Sequence, residues 1–404
     1  MNEQALAGVR VLDLSSIIAA PVTATMLGDF GAEVVKVEEP GRGDFMRRSA
    51  VQPGGRSLQW VQDARNKKSV TLNLREAAGR EVLHRLLPHF DVVVTNFRPP
   101  TLERWGLGPD ELHARYPRLV VLYITGYGMT GPYRQRGAFD RVASAFSGLT
   151  YVTGEAGRPS VRSGFAVIDY MTAYMGAFSV VTALYHRDRQ AGTGLVGGTG
   201  QVIDLALYEP GFRASEEALL SYAMHGRVRE RTGNINRNVV PAANFTAADG
   251  REVVIHAGTD PLVRRLSQIM GQPDLAEDVR FSTYAARVEN QDVLYEIIGA
   301  WAGMHPADRL IELLVAADIP ASPVMNIADI AADPHYRERG TIAAVHDDEF
   351  GDLLMAGPIP KMSRTPGSIR SLGPVLGAHN GEIYGDLLGM KRAELDALHA
   401  SGVI

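Results

Sequence analysis

Residues 9–37, VRVLDLSSIIAAPVTATMLGDFGAEVVKV, decide the fold. Val9-Arg10-Val11-Leu12-Asp13 is a short run rich in β-branched residues, the composition of a strand. Pro21 suits the first turn of a helix, where its missing N–H costs nothing, and the apolar pattern then runs through Met26 and Leu27 to Gly31. Glu33-Val34-Val35-Lys36-Val37 is the next strand. The segment therefore predicts a strand, a helix and a second strand in sequence, the unit from which parallel sheets are built.

The pattern repeats outward from there. Ser69-Val70-Thr71-Leu72, a helix from Glu76 to Leu87, and Asp91-Val92-Val93-Val94 form a second unit, and Arg118 to Thr125 supplies a further strand. Strands alternating with helices imply a parallel sheet with both faces covered. Tyr170 to His186 is almost continuously apolar and predicts a buried helix, and a second helix is expected from about Leu205 to Met224. The texture changes after that. Gly226 to Asn244 is rich in Arg, Asn and Gly and reads as a long loop. Ala247-Ala248-Asp249-Gly250 predicts a hairpin turn into Val253-Val254-Ile255, followed by helices at 261–270, 291–303 and 307–317. The expected class is α/β. A Rossmann-like large domain is built from residues 1–224 and 326–404, and a smaller α+β domain from 225–325. A length of 404 residues is too great for one simple core and agrees with two.

Composition narrows the chemistry. The formal net charge of -5 argues against a nucleic-acid binder working through bulk charge. There is no cysteine, so disulfides, thiolate nucleophiles and Cys-based zinc sites are excluded. No signal-like start is apparent, and charges interrupt the apolar runs before the ~18 residues a membrane span needs. The cytoplasm is the expected compartment, with no membrane partner. The 11 histidines form no metal-spaced set with carboxylates, so no metal and no redox cofactor are expected.

One motif misleads. Gly192-Thr193-Gly194-Leu195-Val196-Gly197 matches G-x-G-x-x-G, but it follows a helix and precedes a strand, the reverse of the dinucleotide-binding context. The first strand-to-helix turn, Ser15-Ser16-Ile17-Ile18-Ala19-Ala20-Pro21, has no glycine. The informative segment is Ser163 to Tyr174, where Asp169 stands alone at the start of the long apolar helix. It reads either as a helix-capping carboxylate favoured by the dipole, or as a nucleophile held ionised and aimed at an acyl carbon.

Several runs occur in a defined order: Gly8 to Leu14; Leu27-Gly28-Asp29-Phe30-Gly31-Ala32-Glu33-Val34-Val35-Lys36-Val37-Glu38; Gly43-Asp44 with Arg47; Arg65-Asn66-Lys67-Lys68-Ser69; Thr95-Asn96-Phe97-Arg98-Pro99; Gly126-Tyr127-Gly128 with Thr130-Gly131-Pro132-Tyr133; and the segment ending in Asp169. With these runs the chain resembles the class III CoA-transferases, the group of formyl-CoA transferase and carnitine-type CoA-transferases. The resemblance spans nearly the whole length, and Asp169 matches the family's catalytic Asp.

The resemblance implies that CoA, carried as a co-substrate, passes between carboxylic acids through a covalent aspartyl-CoA thioester. By position it implies CoA contacts at Ile17 and Ile18, at Leu72, Asn73, Leu74 and Arg75, at Asn96, Phe97 and Arg98, at Arg104, and at Arg136, Gly137, Ala138, Phe139 and Asp140. The formyl-transferring members carry Gln where this chain has Ile18, which turns expectation away from formyl-CoA. The texture of residues 228–231 and 365–374 resembles transferases that use succinyl-CoA with malate, citramalate or a substituted succinate. A distal carboxylate then needs a polar or cationic partner, for which Arg47, Arg48, Arg162, Asn236 and Arg237 are the candidates. A Gly-rich covering loop of the family corresponds to Gly233–Asn238 here. An interlocked dimer is implied, either of identical chains or with a related subunit. The alternatives within the resemblance are an α-methylacyl-CoA racemase, disfavoured by Phe139 where those enzymes place a proton-carrying His, and a non-catalytic CoA-binding subunit.

Overall fold

A computed structural model describes residues 4–50, 55–191, 198–236 and 238–404. In chain order the larger contact unit begins with β1 (Arg10–Asp13), α1 (Ala19–Asp29), β2 (Glu33–Glu38), α2 (Leu58–Asp63), β3 (Lys67–Thr71), α3 (Ala77–Leu86) and β4 (Val92–Thr95). The chain continues with α4 (Pro99–Trp105), α5 (Pro109–Arg115), β5 (Val120–Thr125), α6 (Asp140–Phe146), α7 (Leu149–Val152), α8 (Val167–Ala191), β6 (Val202–Ala206), α9 (Glu209–Arg213) and α10 (Ala218–His225), of which Tyr151, Val152 and His225 belong to the smaller unit.

All six strands are parallel, in the order β3-β2-β1-β4-β5-β6. Alternation along each strand feeds two cores. Leu12, Val35, Val93 and Tyr123 point to one face, and Val11, Val34, Val92, Leu122 and Ile124 to the other. Each such buried aliphatic side chain contributes roughly 1.5–3 kcal/mol. Winding runs outward in both directions from β1 and β4, so the order reverses between them. In open α/β sheets the ligand crevice lies at that reversal, beyond the carboxyl ends of the strands. The C-terminal segment closes the outer edge, where the Tyr384 hydroxyl donates to Thr71 O (2.8 Å) and Asn380 Nδ2 to Thr71 Oγ1 (2.7 Å).

The smaller contact unit comprises residues 151–162 and 225–334. It contains an antiparallel sheet of β7 (Ala242–Thr246), β8 (Glu252–His256) and β9 (Ala321–Pro323). The turn after β7 is closed by Gly250, whose φ of +81° is open to glycine at no steric cost. Helices Asp260–Ile269, Gln291–Ala302 and Ala307–Ala316 pack on it around Phe281, Ile298, Trp301 and Leu310.

Two sequence expectations are corrected. No single helix runs from Leu205 to Met224. Val202–Ala206 pairs with β5 as the sixth strand, and Pro210-Gly211 lies in a helix α9 of only five residues, with α10 beginning anew at Ala218. α8 is not buried all round. Ala173, Ala177, Val180, Ala183 and Leu184 face the core, whereas Phe178 and Tyr185 are 68% and 64% exposed on the other side.

Candidate active site

Two cavities flank the reversal point. The larger, about 290 Å³, is lined by the loops after β1, β2, β3 and β4, including Ser16, Ile17, Leu72, Asn73, Leu74, Arg75 and Phe97, with Trp105 from α4. Phe97 and Trp105 meet edge to face at 5.0 Å. Arg75 stands at the rim, paired with Glu39 Oε1 at 2.8 Å. The smaller cavity, about 160 Å³, lies beyond β1, β4, β5 and β6. It is lined by Ser16, Ile17, Ile18, Asn96, Arg98, Arg136, Gly137, Ala138, Phe139 and Asp169. Ser16 and Ile17 form the wall common to both.

Asp169 sits in the first turn of α8 and is 8% exposed. α8 is fixed by close approach to α1: a Cβ added at Gly176 would lie 2.8 Å from Thr23 Oγ1. Tyr170 ties the same turn to α2, its hydroxyl donating to Asp63 Oδ2 at 2.9 Å. The free amides of the turn are taken by a second carboxylate. Asp140, the first residue of α6, accepts from the N–H of Ile168 (2.9 Å) and of Asp169 (3.3 Å). Asp140 thus occupies the capping role that sequence alone left open for Asp169. Burial, and then the neighbouring charge of Asp140, push the Asp169 carboxyl up to about 7. The expectation of a firmly ionised carboxylate is corrected accordingly.

The wall of the site is equally specified. A Cβ at Gly126 would fall 2.8 Å from Ala138 Cβ, so glycine lets residues 136–139 lie on the end of β5. One at Gly137 would fall 2.3 Å from Arg98 Nη2, which places the Arg98 guanidinium across that glycine. Arg136 stacks on Tyr133 at 3.8 Å. At the start of α1, no side chain caps the helix, and the amides of Ile18 and Ala19 have no hydrogen-bond partner among the described residues. Both residues line the cavity that holds Asp169.

The other sequence candidates lie elsewhere. Arg47 forms a two-pronged pair with Glu38 (2.6 and 2.7 Å) and stacks over Trp60 at 3.8 Å, so it is committed inside the fold. Arg48 donates to Arg42 O. Arg104 donates to Thr101 Oγ1 at 3.4 Å, and none of the three lines the Asp169 cavity. Arg162 and Asn236 belong to the smaller unit. Arg237, like the glycine-rich turn 192–197, lies outside the described residues. What sequence reasoning missed is a buried charge cluster beside β1 to β3: Asp13, Lys36, Asp44 and Lys67, each 5% exposed or less. Burial alone would raise the Asp13 carboxyl, but Lys36 and Lys67 outweigh it and hold it at about 2. Local sequence carried no signal of this cluster: Asp13 ends β1, Lys36 stands inside β2, Lys67 opens β3 and Asp44 lies past β2. Among the described residues, no cluster of three or more His, Asp or Glu is placed to hold a metal ion.

Comparison with known proteins gives a consistent result. The model of a family described as CoA-transferase family III matches residues 6–380. The chain is 42% identical over 397 residues to a succinyl-CoA–D-citramalate CoA-transferase of Chloroflexus aurantiacus, covering 98% of this chain and 97% of that one. It is 42% identical over 403 residues to the β subunit of a succinyl-CoA–L-malate CoA-transferase of the same organism, covering 99% and 98%. Among solved structures, a CAIB/BAIF family protein from Brucella suis superposes with a TM-score of 0.82 at 30% identity, covering 95% of this chain and all of that one.

Proposed function

We propose, from the premise that this chain belongs to CoA-transferase family III, that it moves CoA from succinyl-CoA to a second dicarboxylic acid, with Asp169 as the covalent carrier. The observation that carries this reading is a buried, cap-relieved carboxylate in a cavity that shares a wall with a larger aromatic-edged one.

The nucleotide end of CoA fits the larger cavity, with adenine against Phe97 and Trp105 and Arg75 near the phosphates. The pantetheine arm then crosses Ser16 and Ile17 to deliver the thioester to Asp169. An Asp169 oxygen attacks the thioester carbonyl, the C–S bond breaks, and CoA leaves as thiolate from a mixed anhydride. The thiolate attacks the aspartyl carbonyl and releases succinate, leaving an aspartyl-CoA thioester. The acceptor carboxylate attacks that thioester and forms a new mixed anhydride. The thiolate then attacks the acceptor's carbonyl, giving the new acyl-CoA and regenerating Asp169. The uncapped amides of Ile18 and Ala19 are the donors proposed for the oxyanions.

Donor and acceptor occupy one site in turn, so a single cationic subsite serves the distal carboxylate of both. Arg98 and Arg136 are the cations lining the Asp169 cavity. A second chain, identical or related, is proposed to cover the apolar face of α8, as the β-subunit name of one relative suggests. The test is steady-state kinetics with succinyl-CoA and a panel of acids. Parallel double-reciprocal lines are expected, and Arg98→Met or Arg136→Met is expected to raise KM for diacids about 10-fold or more while sparing monoacids. Intersecting lines contradict the occupation of one site in turn, and equal losses for monoacids contradict the diacid assignment.

A further inference from the structure

The wall common to the two cavities contains a conformation its residue does not favour. Ile17 has φ +74°, in the left-handed region where a β-branched residue is a genuine outlier. The loop is held there residue by residue. Asn96 accepts from the Ser16 N–H at 2.9 Å and donates back to Ser16 O at 2.7 Å. The Ile17 N–H donates to Asp44 Oδ1 at 3.2 Å. Lys36 Nζ donates to Ser15 O, and Asp13 accepts from both the amide and the hydroxyl of Ser15.

Asp44 is the member of this group that holds the Ile17 amide itself. It lies past the end of β2, 5% exposed, and its own amide donates to Glu38 Oε2 at 2.9 Å. Its two oxygens do separate work. Oδ1 accepts from Ile17 and from Met46 N–H (2.9 Å), while Oδ2 lies 3.1 Å from Lys36 Nζ. Lys36 in turn is 3.6 Å from Asp13 Oδ1, whose other oxygen pairs with Lys67 at 2.9 Å.

We propose that Asp44 is a positioning residue for CoA transfer: Oδ1 pins Ile17 in its left-handed conformation and so sets the wall past which the thioester reaches Asp169. The inference rests on the transfer reaction assigned to Asp169 above. Strain that persists because its surroundings over-determine it is a recurrent feature of functional sites. The Oδ2 contact with Lys36 serves folding, and the Oδ1 contact with Ile17 serves the reaction.

Two variants separate the roles. Asp44→Asn keeps an acceptor for the Ile17 and Met46 amides but removes the charge facing Lys36, whereas Asp44→Ala removes both. Melting temperature is expected to fall in both, and further in Asp44→Ala, which also strands the Ile17 and Met46 amides. The single-turnover rate of enzyme-bound CoA formation from succinyl-CoA is expected to fall about 30-fold or more in Asp44→Ala and less than about 5-fold in Asp44→Asn. In an Ile17→Gly background, where glycine takes the left-handed region freely, Asp44→Ala is expected to cost less than about 3-fold. An Asp44→Asn rate loss as large as that of Asp44→Ala, or an equal Asp44→Ala loss with glycine at 17, overturns the proposal. Amide hydrogen exchange in residues 14–18 needs no turnover. It is expected to quicken in Asp44→Ala and stay slow in Asp44→Asn, and unchanged exchange in Asp44→Ala rejects the clamp whatever reaction the enzyme performs. A wild-type chain with no acyl transfer but with these exchange differences would refute the transfer reading and leave the clamp standing. If Asp44→Ala does not fold, Asp44→Asn carries the test: a rate loss below about 5-fold with slow exchange in residues 14–18 is expected, and a loss of about 30-fold or more overturns the proposal.

Discussion

A carboxyl group stripped of water and facing a second carboxylate holds its proton longer, and Asp169 does both. Its nucleophilic form is the ionised one, so the rate of the acyl-transfer step is expected to be low in acid and to rise to a plateau through an apparent pKa of about 7. Asp140→Asn keeps an oxygen to cap Ile168 and Asp169 but removes the repelling charge. The acid limb of the profile is then expected to move to lower pH, and a limb that stays in place excludes Asp140 as the second cause. The same residue carries a stability cost. An unfolded aspartate titrates at 3.8 and the folded one at about 7. The penalty is absent below the lower value, grows as pH rises between the two, and reaches on the order of 4 kcal/mol at full ionisation. Asp169→Asn is therefore expected to raise the melting temperature at pH 8 and to change it little at pH 4, as differential scanning calorimetry will show.

At the scale of elements, the motif Arg65-Asn66-Lys67-Lys68-Ser69 works as a fastener. Asn66, φ +61°, donates to Asp29 Oδ1 and Ser368 O, both at 2.8 Å, and accepts from the Arg370 amide at 2.6 Å. It thereby ties α1 to the C-terminal segment. Asn66→Ala strands these buried groups and is expected to cost about 2–4 kcal/mol, read as a lower urea midpoint. The strands β1, β2, β4 and β5 were legible because their β-branched runs are short and punctuated. Leu205 to Tyr208 was not, because an apolar run shows no period of its own and pairing beside β5 decided its form. Asp169 was visible as a lone carboxylate at a helix start, but only the fold shows that Asp140 caps that helix. The charges Asp13, Lys36 and Lys67 carried no local mark, since their mutual burial depends on strand order that local sequence does not encode. Arg47 looked like a free cation for the same reason: its partner Glu38 lies across a turn in β2.

At the scale of the whole molecule, strand order determines where chemistry is possible. Reversal between β1 and β4 opens the sheet's carboxyl end, and one loop without glycine lies between a larger and a smaller cavity there. α8 crosses behind it and delivers Asp169 to the smaller side. The chain belongs to CoA-transferase family III, and the acyl-carrier role proposed for Asp169 rests on that membership together with this geometry. The most direct test is intact mass after mixing the protein with succinyl-CoA, with borohydride or hydroxylamine trapping and peptide mapping. The account requires an adduct at Asp169 that is lost in Asp169→Ala. An unmodified Asp169 under turnover with succinyl-CoA, or an adduct that persists in Asp169→Ala, would contradict it.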